Sequence, residues 1–495
     1  MALSLSAGNV LELPPDTDYQ QLQSKYMDFS LPQVAVCLDG QALTAIDPDL
    51  LINEVSVELT CGFEASIAKF RIYNIYDSNS GTFQFSKLKK HLLMGSPISI
   101  QMGYAGKLEL VFVGFVAGVT FGYQEGDLPY IEVSAVDAKG IMMAGSYANQ
   151  ISADNYADAV SEILRRTGYD ELKRSGAIYD IKVTATPDVD PALLTAMQAQ
   201  EAAQAAADNA QAAVAAARKA AEASGSAQDL AKLKELENTA KQAASAVEAA
   251  TNAFNAAKNL YSTTKQAVQD AITAIATASQ NSVPITVPIP PGPVSDYTME
   301  MVSESDYEFI VKAAKKFNYE FFIDRGTVYF RKAKPDKAPV AELKAGAGIL
   351  HFSIEYSMTG IIGSVEARAM DPGEGKTISY SSKLNQTIST GNKAKSLIKD
   401  SKKVLIDPSI ATSTQAESRV ASLMEQMSYR LGNLEAECIG IPELLPGRFL
   451  RISGLDAPAD NDFYLTTVIH EYRDETGYLT RVIGKTDHVK GGGIL

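Results

Sequence analysis

Ser303-Glu-Ser-Asp-Tyr-Glu-Phe-Ile310 opens a run that continues through Phe317 into Tyr319-Glu-Phe-Phe-Ile323, Asp324-Arg-Gly326 and Thr327-Val-Tyr-Phe-Arg331. Its first four residues supply capping hydroxyls and first-turn acids. Tyr307, Ile310, Val311, Ala314 and Phe317 recur at helical spacing, and Lys312, Lys315 and Lys316 fall toward the end where the helix dipole favours cations. This predicts one amphipathic helix. The two β-rich runs after it flank Asp324-Arg-Gly326, which reads as a tight hairpin turn. The order is helix, strand, turn, strand.

Upstream, short runs alternate apolar and polar residues as half-buried strands do: Gln33–Leu38, Val55–Leu59, Ile67–Tyr73, Pro97–Tyr104, Leu108–Phe115, Val119–Tyr123 and Tyr130–Val136. Glycine-bearing turns between them predict an antiparallel barrel or sandwich. A short helix over Asp154–Gly168, capped by Asp154, carries Ala157, Val160, Ile163 and Leu164 on one face and is expected to plug or flank that barrel.

Alanine dominates from Pro191 to about Gln280. Leu233, Val247, Phe254, Tyr261, Val268 and Ile275 fall on one heptad position, and Leu236, Ala243, Ala250, Ala257, Ala271 and Ala278 fall on the other. Ala223-Ser-Gly-Ser-Ala227 breaks the run. An antiparallel helical hairpin is expected, its arms about 45 and 75 Å long, with the six large residues of the first position holding it together. Pro187-Asp-Val-Asp-Pro191 and Val283–Pro293 are proline-rich hinges at its ends.

Beyond the opening stretch, strands are expected at Leu350–Tyr356, Ile362–Arg368, Glu435–Gly440, Phe463–His470 and Gly477–Ile483, with a helix from Thr414 to about Leu431. Lys383 to Lys403 is rich in lysine without strong periodicity, so it reads as a solvated loop, the other reading being a docking site for an acidic partner.

Composition bounds the function. The chain has 495 residues, 46% of them hydrophobic, enough for two or three cores, and a formal charge of −14 argues against a specific grip on nucleic acid. The N-terminus has no basic signal region, and no apolar run approaches a membrane span, so a soluble product made in the cytoplasm is expected. Cys37, Cys61 and Cys438 form no CxxC pair and read as small buried hydrophobes. His470-Glu471 begins like a zinc-protease helix, but Asp474 stands where the second histidine belongs. Gly346-Ala-Gly348 is a loop and no phosphate-binding pattern. No catalytic residue, cofactor site or metal site is indicated, and the expectation is a protein that is not an enzyme.

Three stretches resemble the phage late control protein D family and the hub part of VgrG proteins: the helix opening on Ser305-Asp-Tyr-Glu-Phe-Ile310 with its hairpin; Met102-Gly-Tyr104, Val111–Val116 and Ala135-Val-Asp-Ala-Lys-Gly140; and Ile441–Gly454 followed by Phe463–His470 and Gly477–Ile483. The resemblance implies an α+β, mainly β fold. It would comprise a first hub β-barrel with a short helix (1–190), the alanine-rich helical hairpin as an insertion (191–282) and a second hub domain of helix, β-hairpin and β-barrel (283–495). It further implies a structural baseplate hub of a phage tail or contractile injection system. Such a hub is a homotrimer joining a six-fold tail tube to a three-fold spike, with tube, separate spike and baseplate wedge proteins as partners, assembled into the virion baseplate. A tail-associated peptidoglycan hydrolase and a VgrG-like effector carrier are the alternatives. The usual hub lacks the hairpin.

Overall fold

The computed structural model describes residues 5–6, 17–151, 153, 155–186, 191–224, 226–279, 299–334, 338–370, 375–383, 392–408, 410 and 412–490. It is an α+β structure, mainly β.

Helix α1 (Tyr19–Lys25), capped by Asp18, leads into the first set of strands. These are β1 (Pro32–Leu38), β2 (Leu51–Thr60), β3 (Ile67–Tyr73), β4 (Pro97–Tyr104), β5 (Lys107–Gly122) and β6 (Tyr130–Val136), antiparallel in the order β2-β3-β6-β5-β4-β1. Their inner face buries Val57, Phe70, Ile100, Phe112 and Val133. Alternation located each strand, but β5 is one strand of 16 residues where two were expected. Its first half pairs with β4 and its second with β6, with bulges between Leu110 and Phe112 and between Val116 and Gly118. Gly118 marks close packing here and no turn, since a Cβ on it would meet Ser134 Oγ at 2.6 Å.

Helix α2 (Tyr156–Arg165) is capped by Asn155, whose Oδ1 accepts the Asp158 N–H at 2.9 Å, and not by Asp154. It does not plug the barrel. With β7 (Asp180–Thr184) it joins residues far downstream. Between them in sequence run α3 (Pro191–Ser224) and α4 (Ala227–Ser279), side by side and antiparallel: Gln200 Nε2 donates to Thr251 Oγ1 at 3.1 Å and Arg218 reaches Glu237 at 3.2 Å.

Helix α5 (Asp306–Phe317) has a full capping box: Ser305 Oγ accepts the Glu308 N–H at 3.1 Å, and the Glu308 carboxylate accepts the Ser305 N–H at 2.7 Å. Asn318 ends it in the left-handed conformation. Then β8 (Tyr319–Asp324) and β9 (Thr327–Lys332) pair through Arg325-Gly326, whose φ values of 48° and 85° suit a two-residue hairpin. Asp180–Val183 of β7 lies parallel to Thr327–Phe330 of β9. The resulting α/β unit buries Val160, Ile163, Phe309, Ile310, Phe321 and Phe330 in one core, so chain on both sides of the hairpin helices contributes to it.

After β10 (Pro339–Ala345) and β11 (Gly348–Tyr356) comes a small three-stranded sheet, β13-β12-β14, of β12 (Ser364–Met370), β13 (Thr377–Lys383) and β14 (Lys402–Ile406). Helix α6 (Ser413–Ser428) covers one face through Ala416 and Val420, against Val365 and Ala367. The lysine-rich stretch is therefore no plain loop: Asn392–Ile398 is helical and β14 follows, while 384–391 lies outside the described residues. Then β15 (Gly432–Ile439), β16 (Phe449–Ser453), β17 (Asn461–Arg473) and β18 (Gly477–Thr486) close a six-stranded barrel in the cyclic order β10-β11-β15-β18-β17-β16. Strand β17 joins this barrel to the first set of strands: Asn461–Tyr464 pairs with β16, whereas Thr467–Arg473 pairs with Thr60–Glu54 of β2.

Candidate functional site

His470, Cys61 and Cys438 are buried, whereas Cys37, expected to be a buried hydrophobe, is half-buried in β1. His470 sits inside β17, fully buried, with Nδ1 2.8 Å from the Tyr478 hydroxyl and 3.2 Å from that of Thr480. Burial pushes its imidazole down to about 3, so it is neutral at pH 7. Burial pushes the Cys61 and Cys438 thiols up to about 12, which keeps them protonated, and all three cysteines are free. Among the described residues no group of three His, Cys, Asp or Glu side chains could hold a metal ion, and no helix is long and apolar enough to cross a membrane.

The strong polar interactions gather instead at the joints between units. Where the α/β unit meets the second barrel, Arg331 donates to the Gly447 carbonyl at 2.7 Å and lies 3.2 Å from Glu320, which also accepts from the Tyr464 hydroxyl. Beside it Arg448 lies 2.9 Å from Asp324. Burial works to raise the Asp324 carboxyl, but the Arg448 and Arg325 guanidiniums outweigh it and hold the group below its usual value. Where the first barrel meets the α/β unit, Lys139 donates to the carbonyls of Gly62 and Glu64, and Asp137 accepts from the N–H groups of Ser66 and Lys139. The Ala135–Gly140 motif is thus a clasp on the 62–66 loop, which Tyr307 also grips through the Phe63 carbonyl. Between the barrels, Lys25 bridges Glu109 at 2.7 Å and Glu443 at 2.6 Å. The Arg331–Glu320 and Arg448–Asp324 pairs are buried, so removing one partner of either strands the other as an uncompensated charge.

The Glu320 and Asp324 carboxylates of β8 are both buried. Their positions were findable, because a two-residue turn at Arg325-Gly326 makes Glu320 and Arg331 register partners. Of the six residues expected to hold the helical hairpin, Leu233, Val247 and Phe254 are half-buried along α4, and the side chains of Tyr261, Val268 and Ile275 lie outside the described residues.

Among the described residues, exposed apolar side chains gather in patches, of which two are noted. Tyr123, Tyr76, Phe83, Phe121 and Phe85 form a chain of T-shaped and tilted ring contacts beside the first set of strands, with Phe121 and Tyr123 exposed. The second is the face of the β13-β12-β14 sheet opposite α6, with Met370, Val404 and Ile406 exposed.

A tail protein from Neisseria meningitidis MC58 is similar in structure over 92% of this chain and 97% of its own, at 11% identity and a TM-score of 0.50. The 43 kDa tail protein of prophage MuSo2 from Shewanella oneidensis aligns over 92% and 98% at 11% identity with a TM-score of 0.48. An E. coli component of the type VI secretion system aligns over 88% and 73% at 8% identity with a TM-score of 0.41. The first of these shows that the fold is that of a known tail protein. A family model described as the Alg8 N-terminal domain matches residues 293–474, less than half of the chain. That span starts before α5 and stops ahead of β18, cutting the closed second barrel, so it follows no structural unit. No curated protein matches the sequence.

Proposed function

We propose that this chain is the baseplate hub of a contractile tail or injection system: a homotrimer that joins a six-fold tail tube to a three-fold spike carried on a separate polypeptide, with no catalytic step of its own. The observation that carries the reading is the shared strand β17, which locks two six-stranded β-units of one chain side by side. Two such units in each of three copies present six similar walls around an axis, which is a physical means of matching six-fold to three-fold symmetry. The inert interior, the charged clasps at every joint and the fold shared with a tail protein support a part whose work is to hold geometry under load. The hairpin of α3 and α4 is an insertion on this scaffold that reaches another baseplate component or a neighbouring copy. Mass measurement in solution tests the core of the proposal: a trimer, or a monomer that becomes one on adding the spike protein, is expected, and a stable dimer overturns it.

A further inference from the structure

We infer that residues 17–31 form a strap that opens as a unit while both barrels stay folded, released by backbone strain at its exit. Met27, Asp28, Phe29 and Leu31 have φ of 49°, 57°, 56° and 56°. Left-handed backbone crowds the Cβ of an L-residue against a carbonyl, so it is visited at single positions and least by bulky side chains. Leu31 also precedes Pro32, whose ring narrows its choices further. A run of this kind persists only where its surroundings impose it.

The contacts that impose it cross the seam between the barrels. Thr17 and Asp18 lie parallel to Ala341 and Glu342 of β10, and the Tyr19 ring fills the space beside Gly348, where a Cβ would meet it at 3.1 Å. Lys25 bridges Glu109 and Glu443, and the Tyr26 hydroxyl donates to Glu443 at 2.7 Å. Tyr26 and Phe29 are buried, their rings 5.5 and 5.4 Å from that of Tyr104. Seating both aromatics inward leaves Met27 and Leu31 outward, 58% and 71% exposed. None of these contacts belongs to the β17–β2 pairing that joins the two sets of strands. Letting them go relieves the left-handed run, which sets the cost of opening the strap below that of unfolding either barrel. Opening bares the Tyr104 ring, which lies 5.7 Å from that of Tyr478 in β18, and takes the Tyr26 hydroxyl and the Lys25 ammonium off Glu443. The strap therefore covers an apolar spot with one carboxylate at the barrel seam.

Native-state amide exchange on the full chain reads the opening. The Phe29 and Ser30 N–H groups donate to the Tyr26 and Met27 carbonyls at 2.9 and 3.2 Å, and the Ala105 N–H donates to the Leu31 carbonyl at 3.0 Å, so these three amides report the closed strap. In the wild type they should exchange together, at least about tenfold faster than the paired amides of β4 and β15. Met27→Gly and Leu31→Gly, at exposed positions, should each slow them about fivefold, because glycine takes left-handed backbone without the clash. Ser24→Gly, also exposed but inside α1, should speed them instead. Lys25→Met, which drops the bridge to Glu109 and Glu443, should speed them too and leave β4 and β15 unchanged. Glycine at positions 27 and 31 that leaves exchange unchanged or faster overturns the strain. Strap amides that exchange only together with those of the barrels overturn the separate opening, and either result removes the inference.

Discussion

The Tyr104 hydroxyl donates to the Gly440 carbonyl at 2.9 Å, tying β4 of the first barrel to the end of β15 in the second across 336 residues of chain. Tyr104→Phe keeps the ring and leaves that buried carbonyl unpaired. The loss should be about 1–2 kcal/mol in urea unfolding, with both barrels melting earlier together. Two separate transitions, only one of them shifted, would contradict a rigid joint.

Arg448→Met should cost about 3–5 kcal/mol at pH 7, because Asp324 is then left as a buried charge with only Arg325 beside it. The Asp324 carboxyl is depressed in the fold, so its contribution is present above the ordinary carboxylate value of about 4 and is lost as pH falls through the lower folded value. Asp324→Asn should accordingly flatten the acid limb of a stability-versus-pH curve measured by chemical denaturation.

His470 acts in a higher window. Its folded value of about 3 lies below the unfolded value near 6.5. The neutral ring favours the fold, so stability is full above pH 6.5 and falls as pH drops towards 3. Between pH 6.5 and 4 the loss should be on the order of 3 kcal/mol. His470→Gln should remove that slope, and a wild-type curve flat over this range would show that the ring is not shielded as described.

Gly326→Ala should lower stability by about 1–2 kcal/mol or more. The residue has φ +85°, and a Cβ there meets the Tyr179 ring at 2.6 Å. Circular dichroism melting is sufficient to read the shift.

Joining residue 190 to residue 282 through a short Gly-Ser linker removes α3 and α4 together. Retained β-structure and trimerisation, with loss of particle assembly, is the expected outcome. An insoluble product would place the hairpin in the core of the fold.

How much was legible depended on the range of the signal. The capping box at Ser305 and Glu308, the Arg325-Gly326 turn and the alternation of β1 to β4 are local, and each could be read from a few residues. Neighbours in a sheet are not local. Alternation says that Ile469 faces opposite to His470, but not that Asp180–Thr184 lies beside β9 or that β17 leaves the closed barrel for β2. Gly118 looked like a turn because a glycine required by close approach and one required by a bend are the same letter. Charges misled for the same reason: Glu320 and Arg331 resemble a solvated cross-strand pair until the second barrel packs over them.

The division of β17 between two barrels also sets an order of events during synthesis. Strand β2 ends at Thr60, yet the segment that pairs with its outer edge, Thr467–Arg473, is made more than 400 residues later. Until then the nascent first set of strands presents an open edge at β2, and the contact that covers it is among the most distant in the chain. Strand β17 acts as the stitch between the two sets of strands. A chain interrupted before residue 467 would therefore release a first barrel whose β2 edge is free to pair with other chains.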